Sequence, residues 1–174
     1  MQAEKAMEFL SFFERGVGDA ASPATRRAVA AQLLCAAYLQ FIEWIPLFPW
    51  NDIAHGNDQE LLDGILACLQ LAIAGGFVFR KRWAMAIGLS GYIAWLGLQL
   101  DSWWRPYLFG GRTVGPNWYF ARTYKFLPII DHRPTPDAAH VVLQLCLLLV
   151  IITAVGAWRQ VATKSDARTP IGNP

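Results

Sequence analysis

Residues 61–100 read LLDGILACLQLAIAGGFVFRKRWAMAIGLSGYIAWLGLQL, two apolar runs separated by little more than the basic triplet Arg80-Lys81-Arg82. A helix needs roughly 20 apolar residues to cross the hydrocarbon of a bilayer, and each run is close to that length. Three successive cations belong outside the hydrocarbon and leave room only for a tight turn. The two runs are therefore expected to form an antiparallel hairpin of membrane helices, over 61–79 and from 83 to about 106.

Outward from this hairpin, two more apolar segments complete the pattern. One covers 28–48 and is preceded by Arg26 and Arg27; the other covers 138–158 and is followed by Arg159, Lys164 and Arg168. The whole chain of 174 residues is 55% hydrophobic and only 16% charged, where a soluble domain carries about 25% charged residues. These features predict an all-α integral membrane protein, a single antiparallel bundle of four transmembrane helices. Residues 1–22 mix Phe9, Leu10, Phe12 and Phe13 with acidic and basic residues, as an interfacial amphipathic helix would. Gly16, Gly18, Ser22 and Pro23 end that pattern, and Thr25 is the expected cap of the first span. Residues 107–136 form a long aromatic loop on the far side, in which 116–127 suit a short interfacial helix with Pro116 in its first turn. Residues 160–174 are polar, contain two prolines and are expected to be a disordered tail.

The cations orient this bundle. The N-terminal segment, the 80–82 turn and the C-terminal tail hold 10 of the 15 Lys and Arg residues, and the 49–60 connection holds none. Lys and Arg collect on the cytoplasmic side. Both termini are thus expected in the cytoplasm, in the plasma membrane, with the larger loops exoplasmic. Trp83 and Trp158 then mark the inner interface; Trp44, Trp50, Trp103 and Trp104 mark the outer one. The net charge of +2 gives no ground for a nucleic-acid partner. Cys35, Cys68 and Cys146 each fall within an apolar segment without a Cys-x-x-Cys pair, and are expected to be buried small hydrophobes.

The chemistry-bearing residues gather at the outer end. Eight of the 13 acidic residues and all three histidines lie there. Glu43, Asp63, Asp101 and His140 are each within about two turns of the outer end of a different span. A charge inside a spanning helix costs about 2.5–3.5 kcal/mol on insertion scales. Four such groups at one depth are expected to share an interior site, as catalytic or ligand-binding groups. Helical spacing adds Gln40 beside Glu43, and Asp137 and Gln144 beside His140. Asp101 continues a face of Ser90, Ala94 and Gly97, suited to close helix packing, and Arg105 is placed to pair with it. Trp44, Trp103, Trp104 and Trp118 can wall the pocket, and Arg105, Arg112 and Arg122 can bind an anionic or lipid-linked ligand bidentately.

The Asp-x-x-His spacing of Asp137 and His140 has the logic of four-helix metal sites. With Glu43 and Asp63 it forms a candidate ligand set for zinc, iron or manganese, metals that accept imidazole and carboxylate. No nucleophile elbow, zinc-protease helix or phosphate-binding glycine loop is present. The function expected is an outward-facing polar pocket that binds a small ligand or ion, in a sensor or accessory subunit. The alternatives are an integral-membrane enzyme acting at the outer leaflet, and a structural subunit of a membrane complex. Expected partners are the lipid bilayer and a membrane protein or a second copy of the chain.

Overall fold

The computed structural model describes residues 22–52, 60–111, 122–130 and 133–166. Among these the chain is all-helical, without strands, and forms four helices: α1 Pro23–Trp44, α2 Glu60–Val78, α3 Arg82–Phe109 and α4 Ala138–Asp166. They pack as a ring in which α1 touches α2 and α4, and α3 touches α2 and α4. Two of them, α3 and α4, are long and apolar enough to cross a membrane. The expected amphipathic segment over 1–22 lies outside the described residues but for Ser22, as do His55, Arg112, Trp118 and 167–174 of the tail.

Local chemistry explains the helix ends. The hydroxyl of Ser22 accepts from the Thr25 backbone N–H at 3.3 Å, and Pro23 occupies the first turn. A serine N-cap followed by proline is a preferred start, so α1 begins before residue 28 and Thr25 sits inside it rather than capping it. α1 ends where Ile45 turns extended ahead of Pro46. Asn51 holds that end: its Nδ2 donates to the Ile42 and Ile45 carbonyls at 2.6 and 2.9 Å, and its Oδ1 accepts from the Leu47 N–H at 2.7 Å. These contacts satisfy carbonyls that a helix end leaves without partners.

The expected hairpin is present. α2 closes with Lys81 N–H donating to the Gly76 carbonyl and Arg80 N–H to the Phe77 carbonyl, both at 3.1 Å. This is the Schellman pairing, with Arg80 at φ 55° in the position where glycine is usual. The two helices approach closely at Gly76, whose added Cβ would lie 3.0 Å from Ala84 Cβ, and at Gly88, which meets Ile73.

Helix bounds differ from expectation on three helices: α1 starts at Pro23 rather than 28 and stops at Trp44 rather than 48, and α3 and α4 both run on. α3 runs on through Pro106 to Phe109. Gly110 then turns at φ 77°, and the Arg133 guanidinium donates to the Tyr107 and Leu108 carbonyls at 3.2 and 2.8 Å. α4 continues past residue 158 to Asp166, so 160–166 is helix rather than disordered tail. Residues 122–127, expected in an interfacial helix, form a turn and extended chain instead. Their backbone is strung between the connection after α1 and the start of α4: Tyr124 N–H donates to the Pro49 carbonyl at 2.7 Å, and its own carbonyl accepts from Ala138 N–H at 2.9 Å. Bonds at that spacing anchor this segment to the connection after α1 and to the start of α4, and compete with an internal helical ladder.

The core mixes small and large side chains. Near the 80–82 turn it joins Ala28, Val29, Phe77, Val78, Met85, Ala154 and Ala157; further from that turn it joins Ala31, Cys35, Leu39, Ile42, Tyr92, Leu143, Leu147 and Val150. Many of the large residues face outward on every helix, among them Leu34, Leu61, Leu69, Ile87, Leu98, Leu145 and Ile152. Cys68 is exposed and Cys146 half-buried, so only Cys35 takes the expected buried role. Ser90, Ala94 and Gly97 are exposed too. They do not form a packing seam, because α3 turns Met85, Gly88 and Tyr92 inward.

Candidate functional site

The start of α4 carries the densest polar cluster among the described residues. Asp137 immediately precedes the helix and is fully buried. One carboxylate oxygen, Oδ1, accepts from the His140 backbone N–H at 2.8 Å, which is an N-cap bond to the third helical residue. The same oxygen lies 2.8 Å from His140 Nδ1, so the side chain of the cap also fixes the imidazole. The other oxygen, Oδ2, accepts from the Thr123 hydroxyl at 2.9 Å. Lys125 stands nearby, with its Nζ donating to the Thr123 carbonyl at 3.3 Å.

These contacts decide the charge of Asp137. Burial pushes the carboxyl upward, but the His140 ring, the charge it can carry, its backbone N–H and the Thr123 hydroxyl outweigh burial. The group ends below its ordinary value of 3.8, held as a carboxylate. Burial pulls the Lys125 ammonium below its ordinary range, and the Asp137 charge partly opposes this.

Aromatic residues from α3, α1 and the segment after α1 surround the start of α4. Trp103 lies against His140 with ring centroids 4.4 Å apart and planes tilted by 41°. One residue on, the Trp104 indole donates to Gln144 Oε1 at 2.7 Å and meets Tyr107 edge-on. From α1, the Tyr38 hydroxyl donates to the Ala139 carbonyl at 2.9 Å, and it accepts from the Trp50 indole at 3.2 Å. Three chain segments far apart in sequence thus converge on the first turn of α4. The His140 side chain keeps 17% of its surface accessible.

Not every candidate joins this cluster. The Asp101–Arg105 pair forms as expected, at 2.8 Å, but the two side chains are 52% and 72% exposed. Asp101 therefore faces out from the helix ring and is not part of a shared interior layer. Gln40 accepts from the Trp44 indole at 2.9 Å on the exposed surface of α1. Glu43 is half-buried near that end of α1, and Asp63 lies on α2 with its side chain outside the described set. Arg122 sits 3.6 Å from the buried Asp52 carboxylate and 5.2 Å from the Phe48 ring centre, tying the loop to the end of α1.

The metal expectation narrows accordingly. Among the described residues no three His, Cys, Asp or Glu side chains approach closely enough to hold a metal ion. Asp137 and His140 remain adjacent, but the Asp137 lone pairs are already engaged by three donors. No protein-family model matches the chain. Neither curated proteins nor solved structures match it. The geometry alone therefore carries the functional reading. Sequence spacing pointed to the Asp137, His140 and Gln144 set. It did not point to Thr123 or Tyr38, whose partners lie on other chain segments.

Proposed function

We propose that this chain is a small integral membrane protein whose four helices all span the bilayer, with both termini on the cytoplasmic side. Its outer end is a polar site that binds a small ligand or ion, and the protein serves as a sensor or accessory subunit. The inside-out distribution of side chains supports the membrane placement. Alanines, Cys35 and Gly88 lie between helices beside a few larger residues such as Leu39 and Leu147, while many leucines and isoleucines of all four helices face outward. In water such a belt would be an interaction or aggregation surface, whereas small residues between helices are what close packing within lipid favours.

The observation that carries the binding reading is the buried Asp137 carboxylate that fixes a partly accessible His140 against Trp103. An imidazole oriented at Nδ1 and walled by an indole presents one defined face. Trp44, Trp103 and Trp104 border this end, where Arg105 and Arg122 pair with Asp101 and Asp52 and Lys125 stands beside Thr123. The test is thermal melting of the full chain in detergent, with zinc ion and inorganic phosphate as separate probes. One of them is expected to raise the melting temperature, and His140→Ala is expected to abolish the rise. Elemental analysis of the same samples reads out retained zinc, iron or manganese. If neither probe shifts the wild-type protein and no metal is retained, the binding reading fails.

The Asp137–His140 bond also favours a second reading, an enzyme at the outer leaflet. A carboxylate on one imidazole nitrogen orients the ring for proton transfer at the other. That reading requires a pH-dependent turnover lost in His140→Ala. Binding of a probe without turnover counts against it.

A further inference from the structure

Halfway along the helices lies a second polar layer that the outer site does not use. Gln32, Gln70 and Tyr92 are 1%, 4% and 2% exposed. Gln32 Nε2 donates to the Ala28 carbonyl of its own helix at 3.1 Å. Gln32 Oε1, both polar atoms of the Gln70 amide, and the Tyr92 hydroxyl have no hydrogen-bond partner in the protein.

Helix register and core packing bring the three toward the middle of the bundle. Ile73 of α2 packs against Gly88 of α3. Three residues further from the hairpin turn on each helix are Gln70 and Gly91, so Gln70 is level with Tyr92. Tyr92 belongs to the same core cluster as Ala31 and Cys35 of α1 and Val150 of α4. Gln32 follows Ala31 directly and lies within one turn of Cys35. Three helices thus deliver neutral polar groups to the middle of an otherwise apolar interior, Gln70 level with Tyr92 and Gln32 within about a turn of the Cys35 that packs in the same cluster as Tyr92. Gln99 Oε1 and Gln144 Nε2 also lack partners, but lie toward the outer end.

A buried polar group without a partner destabilises the fold, and nearly all such groups in folded proteins are satisfied by protein or by a bound molecule. Four in the middle of the bundle point to a common satisfier. The set is uncharged and acceptor-rich: two amide oxygens and a phenol oxygen, against one amide NH₂ and one phenol O–H. An ion has no counter-charge there. A hydroxyl, which donates and accepts at once, fits both roles. We propose that Gln32, Gln70 and Tyr92 form a buried binding site for an uncharged hydroxylic ligand, either ordered water or the hydroxyl of a small organic molecule.

The test uses the full chain in lipid bilayers. Solid-state NMR of the wild-type protein reads the Gln70 side-chain amide, assigned by its loss in Gln70→Leu. A cross-peak from this amide to a hydroxyl proton is expected. If that proton exchanges away in deuterated water and lipid extracts contain no stoichiometric hydroxylic compound, the ligand is water. If mass spectrometry of the extract finds such a compound at one per chain, the ligand is organic. Cross-peaks to protein protons alone overturn the site. Gln32→Leu, Gln70→Leu and Tyr92→Phe provide an independent reading. Each is expected to lower the melting temperature by about 2–4 °C, and pairs are expected to cost less than additively because they share one ligand. Truly unsatisfied groups would give the opposite sign, since apolar replacement would relieve their burial. Unchanged or raised melting temperatures in all three variants therefore overturn the proposal as well.

Discussion

Replacing Asp137 tests the centre of the outer cluster. Asp137→Ala strips an acceptor from three donors: the His140 N–H, the His140 ring and the Thr123 hydroxyl. Loss of an N-cap side chain costs about 1 kcal/mol. A buried donor deprived of its acceptor costs about 1–3 kcal/mol more. Thr123 is only 7% exposed and cannot turn to solvent, whereas the His140 ring, at 17%, can relax partway. The expected loss is about 3 kcal/mol, within the range for breaking a buried charged pair. For a chain of this length that lowers the melting temperature by about 6–12 °C. Asp137→Asn keeps the shape and one acceptor and is expected to lose about half as much. The assay is thermal or denaturant unfolding in detergent.

The pH dependence supplies a sign. Because folding holds the Asp137 carboxyl below its ordinary value of 3.8, its contribution is complete above that value. It is lost as the pH falls below 3.8 and passes through the lower folded-state value. Wild-type stability should therefore drop in that acid window, and the drop should shrink in Asp137→Asn. A melting temperature within 1 °C of wild type for Asp137→Ala, or identical acid profiles for wild type and Asp137→Asn, would refute the reasoning.

Other variants probe the scaffold. Asn51→Ala frees the carbonyls of Ile42 and Ile45 and the Leu47 N–H; it is expected to cost about 1–3 kcal/mol, checked by denaturant unfolding. Gly88→Ala forces a Cβ into the branched side chain of Ile73, whereas Gly97→Ala meets nothing within 4 Å. The first is expected to destabilise by about 1–3 kcal/mol and the second to be neutral or to stabilise by up to about 1 kcal/mol; equal melting temperatures would contradict the α2–α3 packing. Arg105→Ala removes only an exposed pair, and a stability change of about 0.3–0.5 kcal/mol is expected, with little effect beyond that in the same assay.

The helices were legible in the sequence because their signals are local. Apolar run length, the Arg80-Lys81-Arg82 turn and the cation distribution are properties of contiguous residues, and they identify four helices and the hairpin without tertiary information. Within the site, the Asp137–His140 relation was legible for the same reason. It is a spacing of three along one helix start, set by N-cap geometry. The Asp101–Arg105 pair, at spacing four, was equally legible.

What the sequence did not determine is which way each helix faces. Residues apolar nearly all round carry no clear stripe, so the rotation of α3 follows from Gly88 fitting Ile73 and from Tyr92 entering the core. That rotation carries Asp101 outward and Trp103 onto His140. The partners of Asp137 and Ala139 likewise come from Thr123 and Tyr38, 14 and 101 residues from those partners. Contacts across such separations depend on the packed arrangement of the helices and the strung course of 122–130. Local periodicity can nominate polar groups, but only packing decides which of them meet.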